Sequence, residues 1–293
     1  MENVKEHLPE NWHEAIFREK IKPVIFKNIK AASFPPVAII SGGQPGAGKS
    51  RMLDLVAQEL EELNAAAIII GDDLRGYHPF YESYTEQNDQ TAAIKTNPEV
   101  GQWIEKALDH AKSIQCHIIL ESTMRDPKIV ESTLRSLRTT NYYIEAHILA
   151  VNERLSWQGI LQRYENQRLD RGAGRMTPSE YHQAAYIGMM DTLKKIEQAK
   201  LVDKIIVYRR GAIILHENNL QNGQWQYEPL AHETVITERN RPWTQQEKIE
   251  YAENYDKLLS LIIRPDRKAT EQEIRKIALL REQAYKDLSL ISA

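Results

Sequence analysis

The sequence predicts an α/β protein, a mostly parallel sheet flanked by helices with a C-terminal helical extension, and three observations carry that reading. Short apolar, β-branched runs alternate with longer amphipathic segments over most of the 293-residue chain, the pattern of strand–helix–strand units. The first run passes straight into Gly43-Gln44-Pro45-Gly46-Ala47-Gly48-Lys49-Ser50, a glycine-rich turn ending in Lys-Ser that opens a helix. Past Tyr208 the alternation stops. Two capping boxes, Thr244-Gln245-Gln246-Glu247 and Thr270-Glu271-Gln272-Glu273, then start charged helices that run to the end.

Taken in order, residues 12–29 carry Ile16, Phe17, Ile21, Val24, Ile25 and Ile29 at helical spacing, interrupted by Pro23. This predicts one or two helices covering a side of the core. Strands are expected at 37–41, 66–71, 117–121, 142–151 and 204–208, and helices at 50–63, 98–113, 127–137, 153–169 and from 178 to about 199. The last of these opens with Thr177-Pro178-Ser179-Glu180, a capping box with proline at the first helical position. Arg209-Arg210-Gly211 reads as a turn, and 212–215 with 225–227 as a small antiparallel appendage. The core is assigned to residues 1–230 and the extension, a solvated helical hairpin, to 231–293.

A formal net charge of −3, with 42% hydrophobic and 27% charged residues, describes an ordinary globular protein with no electrostatic case for nucleic acid or an anionic membrane. No apolar run reaches membrane-spanning length. The start, Met1 to His7, lacks the apolar stretch of a secretory signal, which places the expected site of action in the cytoplasm and leaves delivery into another cell open. Cys116, the single cysteine, sits in an apolar run and reads as packing. The nine histidines show no zinc-binding spacing.

The glycine-rich turn has the composition of a phosphate-binding P-loop. Its backbone N–H groups and the helix N-terminus favour a bound phosphate, Lys49 would reach β- and γ-phosphate oxygens, and the Ser50 hydroxyl would ligate Mg²⁺. In a parallel sheet the residues just past the strand ends face the ligand. After the second strand stand Asp72 and Asp73, either of which could accept an acceptor's proton or hold Mg²⁺ through water. After the third stands Glu121, the acid that would order the metal's water shell. Arg163, Arg168, Arg171 and Arg175 lie on a helix and a Gly-bounded loop, the makings of a lid that stabilises phosphoryl charge. Arg168 and Arg171 read instead as a solvated face with surface salt bridges.

These residues together resemble the zeta toxins of bacterial toxin–antitoxin systems. The resemblance runs through Gly43 to Ser50, Gly71-Asp72-Asp73-Leu74-Arg75 with His78-Pro79, Glu121-Ser122-Thr123-Met124-Arg125, Arg163-Tyr164-Glu165 and Gly174-Arg175-Met176-Thr177-Pro178. It covers residues 12–215. It implies a P-loop kinase fold and an enzyme that uses ATP and Mg²⁺ to phosphorylate the 3′-hydroxyl of the amino sugar of UDP-N-acetylglucosamine, blocking cell-wall precursor synthesis. By position, Asp72 is then the general base, judged by its distance from His78-Pro79, with Asp73 as the fallback. Lys49, Arg163 and Arg175 act on the phosphates. Asp73, Arg75, Glu105, Glu121, Thr123 and Arg125 meet the nucleotide-sugar. The implied protein partner is a small helical antitoxin that obstructs ATP binding.

Ser122 stands where the family often has glycine, and the loop between Arg163 and Arg175 has its own length. Another UDP-sugar or NAD as acceptor, a metabolic kinase for a small hydroxylated compound, and a nucleotide-dependent interaction module are the competing readings. The aromatic segment 77–98, with Tyr77, Phe80, Tyr81 and Tyr84, has room for a uridine and favours the nucleotide-sugar.

Overall fold

The computed structural model describes residues 7–32, 35–61 and 66–289. The expected end of the helix after the P-loop (62–63), the first six residues and the last four lie outside them. The chain runs α1 (Glu10–Ile16), α2 (Lys22–Ile25), β1 (Val37–Gly42), α3 (Lys49–Glu61) and β2 (Ala66–Ile69). Four helices, α4 (Gly71–Leu74), α5 (Tyr81–Asn88), α6 (Ala92–Lys95) and α7 (Asn97–Ile114), lead to β3 (His117–Leu120). Then come α8 (Pro127–Thr139), β4 (Tyr143–Ala150), α9 (Glu153–Arg171), α10 (Ser179–Ala199) and β5 (Lys204–Arg209). β6 (Ile213–Gln221), β7 (Gln224–Trp225), α11 (Ala231–Asn240), α12 (Gln245–Ile262) and α13 (Glu271–Ser289) complete it.

The strands form one sheet in the order β2-β3-β1-β4-β5-β6-β7. The first five are parallel, with β1 between β3 (Ile39 opposite Ile119) and β4 (Ile39 opposite Glu145). Both faces are covered, so β1, β3 and β4 are near-continuous apolar runs rather than alternating ones. The larger core joins α7, α8 and α10 to the strands through Trp103, Leu134 and Leu193. A second cluster, with Met52, Leu53 and Val56 of α3, covers the other face. α7 shows why a helix forms there: Val100, Trp103, Ala107 and Ala111 repeat at helical spacing and are buried, and Gln115 closes the helix in a left-handed turn.

Three expectations need correction. The antiparallel appendage is part of the main sheet. Gly211 (φ 94°) and Ala212 (φ 65°) reverse the chain, so β6 pairs along β5 and covers its otherwise bare edge. The capping box at 177–180 does not form. α10 starts at Ser179 behind Pro178, and the Thr177 hydroxyl instead accepts from Arg163 Nη2 at 3.0 Å. α11 belongs with the core, where Ala231 and Val235 are buried against β4 and β5, so only α12 and α13 form the outlying hairpin. That hairpin packs on α9 through Tyr251, Tyr255, Leu258 and Ile277 around Leu161. Both of its capping boxes form, Glu247 N–H and Glu273 N–H each donating at 3.2 Å to the threonine hydroxyl.

Candidate active site

The carboxyl ends of β1, β2 and β3 open onto a cleft of about 540 Å³, bounded by the P-loop, α9 and the loop before α10. The P-loop takes its shape from left-handed glycines at Gly46 (φ 77°) and Gly48 (φ 95°). α9 presses on the loop: a Cβ at Gly46 would lie 2.0 Å from the Ser156 carbonyl oxygen, and one at Gly159 would lie 2.5 Å from the Gly46 oxygen. Lys49 folds back over the loop, its Nζ donating to the Gly43 carbonyl at 2.9 Å with Glu121 Oε1 3.6 Å away. Burial lowers the Lys49 pKa, against the pull of Glu121 and Asp72.

Asp72, in α4 just beyond β2, faces Lys49 across the cleft. Its carboxylate accepts from Arg75 Nε at 3.2 Å and from Arg175 Nη1. Arg75 is itself fixed by the Ala93 carbonyl (2.7 Å) and the Thr96 hydroxyl (3.0 Å). Burial would raise the Asp72 pKa, but Arg175, Arg75 and Arg163 outweigh it and hold the carboxyl below its ordinary value. Asp73 goes the other way, raised by burial and by the charge of Asp72. Arg163 spends one Nη2 on Thr177, its Nε is buried without a partner, and burial together with Arg175 pushes its pKa down to about 10. Unspent guanidinium capacity in a cleft with a P-loop is an anion site.

The sequence profile of the Zeta toxin family matches residues 24–221, well over half of the chain. The chain belongs to the zeta toxin family. It is 26% identical to Toxin PezT of Streptococcus pneumoniae serotype 4, over 64% of this chain and 74% of that toxin. It is 22% identical to Toxin zeta of Streptococcus pyogenes, over 64% of this chain and 66% of that toxin, so the matched region spans about two thirds of such a relative's length. Among solved structures, one from the PezAT chromosomal toxin–antitoxin system of Streptococcus pneumoniae superposes with a TM-score of 0.74 at 20% identity, covering 88% of this chain and 99% of that chain. The AvrRxo1-ORF1:-ORF2 complex with ATP gives 0.54 at 11%, covering 94% and 84%. At these identities the structures establish a shared fold.

The zeta-toxin cleft gathers most of the expected residues. Pro45, Gly46, Gly48, Lys49, Ser50, Asp72, Arg75, Glu121, Thr123, Arg125, Arg163 and Arg175 all line it. Asp73 faces a second lobe shared with Ser50, Asp72, Glu121, Arg163 and Arg175. Gly43, Gln44 and Ala47 are buried beneath the loop. Glu105 is a correction: α7 turns Asn97, Val100, Gly101 and Ile104 to the cleft, and Glu105, a further 100° round the helix, is exposed outside it. Ser122 braces the β3 end, donating its N–H to the Ser41 hydroxyl at 3.2 Å and accepting from the Met124 N–H at 2.9 Å.

Two contributors escaped the motif reading. Asp89, between α5 and α6, is a buried carboxylate that accepts from the Tyr164 hydroxyl (2.9 Å), from Arg168 and from the Gly174 N–H (3.0 Å), clasping α9 to the loop that carries Arg175. Nothing in its Asn- and Gln-rich surroundings marks it. Gly159 is a glycine inside a helical pattern, a signal of close backbone approach that could have been read. Cys116 is buried, its thiol raised to about 11 by burial, as packing requires. Among the described residues no helix is long and apolar enough to cross a membrane, and no group of three His, Cys, Asp or Glu could hold a metal ion.

Proposed function

We propose that this chain is an ATP- and Mg²⁺-dependent kinase of the zeta-toxin type that phosphorylates the 3′-hydroxyl of the amino sugar of UDP-N-acetylglucosamine. The observation that carries the reading is the convergence of Lys49, Arg163 and Arg175 with Asp72, an acid held ionised by its arginines, at the mouth of the P-loop. A nucleotide switch needs the loop and the metal site. Glu121 already suits the metal's water shell, so Asp72 is a second acid beside the phosphates that a switch would not require.

In this reading Lys49 exchanges its loop carbonyls for phosphate oxygens, and Arg163 fills its vacant donors with them. The Ser50 hydroxyl would hold Mg²⁺, with Glu121 ordering its water shell and phosphate oxygens supplying the remaining ligands, as fits a site without an all-protein metal cage. Bound there, the ion would neutralise charge on the β- and γ-phosphates. Asp72 takes the proton of the sugar hydroxyl as that oxygen bonds to the γ-phosphorus and the bond to the β,γ-bridging oxygen breaks. Arg175 leaves Asp72 for the phosphoryl oxygens, which raises the basicity of the carboxylate at the moment it is needed. On the acceptor side, Thr123 and Arg125, the latter stacked 5.4 Å from the Tyr181 ring centre, line the cavity and offer polar and aromatic contacts to a nucleotide-sugar. The relatives' toxin–antitoxin setting supports a small antitoxin protein as partner, acting in the cytoplasm.

The test is to incubate the protein with Mg-ATP and a panel of nucleotide-sugars, free sugars and dinucleotides, and to read products by mass. One added phosphate on UDP-N-acetylglucosamine is expected, lost in Lys49→Ala. Transfer to a different acceptor would move the specificity, and no modified acceptor anywhere would sink the kinase reading.

A further inference from the structure

Gln44 stands between two P-loop glycines, yet its side chain points away from the cleft and is fully buried. Its amide nitrogen donates to the Val151 carbonyl (2.8 Å) and the Ser156 hydroxyl (3.0 Å), and Ser156 in turn meets His182 Nε2 at 2.8 Å. Its amide oxygen accepts from Arg239 Nη2 at 3.0 Å. Arg239 comes from α11, 195 positions along the chain and beyond the span 24–221 matched by the family profile. It is 3% exposed, stacks on Tyr186 with the guanidinium carbon 3.8 Å from the ring centre, and donates Nη1 to the Tyr186 carbonyl at 2.9 Å. Its Nε is buried without a partner, and among the described residues no carboxylate lies within 4 Å of it, Glu153 acting only from further away.

A buried arginine without an acid partner is an expensive object. A charge taken out of water without an ion-pair partner costs several kcal/mol even after relaxation. The neutral amide, carbonyl and ring around Arg239 satisfy its hydrogen bonds in part, and Glu153 offsets its charge only from a distance. The nearest anion the fold is built to accept is a phosphate on the other side of the Gln44 backbone, whose carbonyl already lies 3.5 Å from Lys49 Nζ.

We propose that Arg239 is a positioning residue for the P-loop, which locks the loop through Gln44 and supplies from behind it a positive charge that is compensated when a triphosphate binds. The proposal rests on the nucleotide reading of the cleft. It gives α11 a part in nucleotide binding and makes the triphosphate site depend on two distant pieces of chain.

The test measures binding of the non-hydrolysable analogue Mg-β,γ-imido-ATP, and separately of pyrophosphate, to the full chain by calorimetry, together with KM and kcat. In Arg239→Met, affinity for both ligands should fall about tenfold and KM for ATP should rise in proportion, with kcat at saturation within about threefold of the parent. Equal loss for pyrophosphate marks a phosphate effect. Arg239→Lys keeps a charge but cannot fork between Gln44 and Tyr186, so it should fall between parent and Arg239→Met; it also serves as the readout if the methionine variant does not fold. Combined with Gln44→Leu, Arg239→Met should lose less than the sum of the two single effects, because the Gln44 contact is shared while the charge is not. A lowered melting temperature with unchanged affinities would reduce Arg239 to a structural peg and overturn the proposal. Failure of the parent protein itself to bind either probe would overturn the nucleotide reading instead.

Discussion

Arg175, from the loop between α9 and α10, donates to the carboxylate of Asp72 at the end of β2, so the acid and the lid cation of this cleft neutralise one another in the absence of ligand. Either partner is blocked while the other holds it. In the proposed kinase reading, engagement of Arg175 by phosphate and release of Asp72 toward an acceptor would be one event, coupling nucleotide binding to the availability of the base.

The first prediction follows from the sign of the Asp72 shift. In the proposed mechanism Asp72 must be ionised to act as base, and its pKa lies below the ordinary value because Arg175, Arg75 and Arg163 outweigh the effect of burial. The ratio kcat/KM, which reports groups of the ligand-free enzyme, should thus stay level as pH falls from neutral through the usual carboxylate range, and drop only below it. Arg175→Gln removes the strongest of those cations, so the acid limb of its pH–rate profile should move to higher pH, whatever happens to the maximal rate. Asp72→Asn should lose about 10²–10⁴-fold in transfer with little change in ATP affinity. A limb that stays in place in Arg175→Gln would remove Asp72 as the titrating base.

Contact between α9 and the P-loop yields a second. A Cβ at Gly159 would meet the Gly46 carbonyl oxygen at 2.5 Å and cannot be relieved by turning a side chain, since the obstacle is backbone. Gly159→Ala should therefore displace the loop and raise KM for ATP by at least tenfold. Gly101→Ala, in α7 with nothing near its Cβ position, should instead gain up to about 1 kcal/mol of stability from helix propensity. Steady-state kinetics and chemical denaturation on the two variants check the pair of signs.

Asp89 supplies the third. It holds Tyr164, Arg168 and the Gly174 N–H at once, and Asp89→Asn keeps the shape while removing the charge and one acceptor site. The loop should loosen: amide exchange over residues 172–177 should quicken, and KM for ATP should rise through a poorly placed Arg175. Unchanged exchange in that loop would mean the clasp does not hold it.

What the sequence disclosed, and what it withheld, follows from the range of the interactions. β1, β3 and β4 were legible because strands buried on both faces must be apolar throughout. The P-loop was legible because its glycines and lysine act within eight consecutive residues. β6 was missed in extent since Leu215 to Gln221 is mostly polar and takes its place from pairing with β5, a partner the local pattern does not name. The short helices α4 to α6 carry no periodic stripe to read. Thr177 had the right neighbours for a cap and was claimed by Arg163 from another helix. Gln44 was legible only as part of the phosphate loop, because the residue that explains its side chain, Arg239, lies on α11. Glu105 failed on a matter of 100° of helix rotation, finer than positional correspondence resolves.

The fourth prediction concerns the hairpin α12–α13. Its tie to α9 is a buried ion pair, Arg267 donating to Glu165 at 2.9 and 3.1 Å, with Glu273 of the α13 capping box 2.8 Å from the same guanidinium. Both Glu165 and Arg267 side chains are about 95% shielded, so removing one leaves the other buried with less than its due. Glu165→Gln should then cost about 3–5 kcal/mol in denaturant unfolding. Replacing both, Glu165→Leu with Arg267→Met, removes the desolvation cost along with the attraction and should recover most of that loss. Because Glu165 sits two residues past Arg163 on the same helix, the single variant should also weaken ATP binding while the double variant regains it. A single variant within 1 kcal/mol of the parent would show that apolar packing around Leu161 and Tyr255 holds the hairpin without the ion pair.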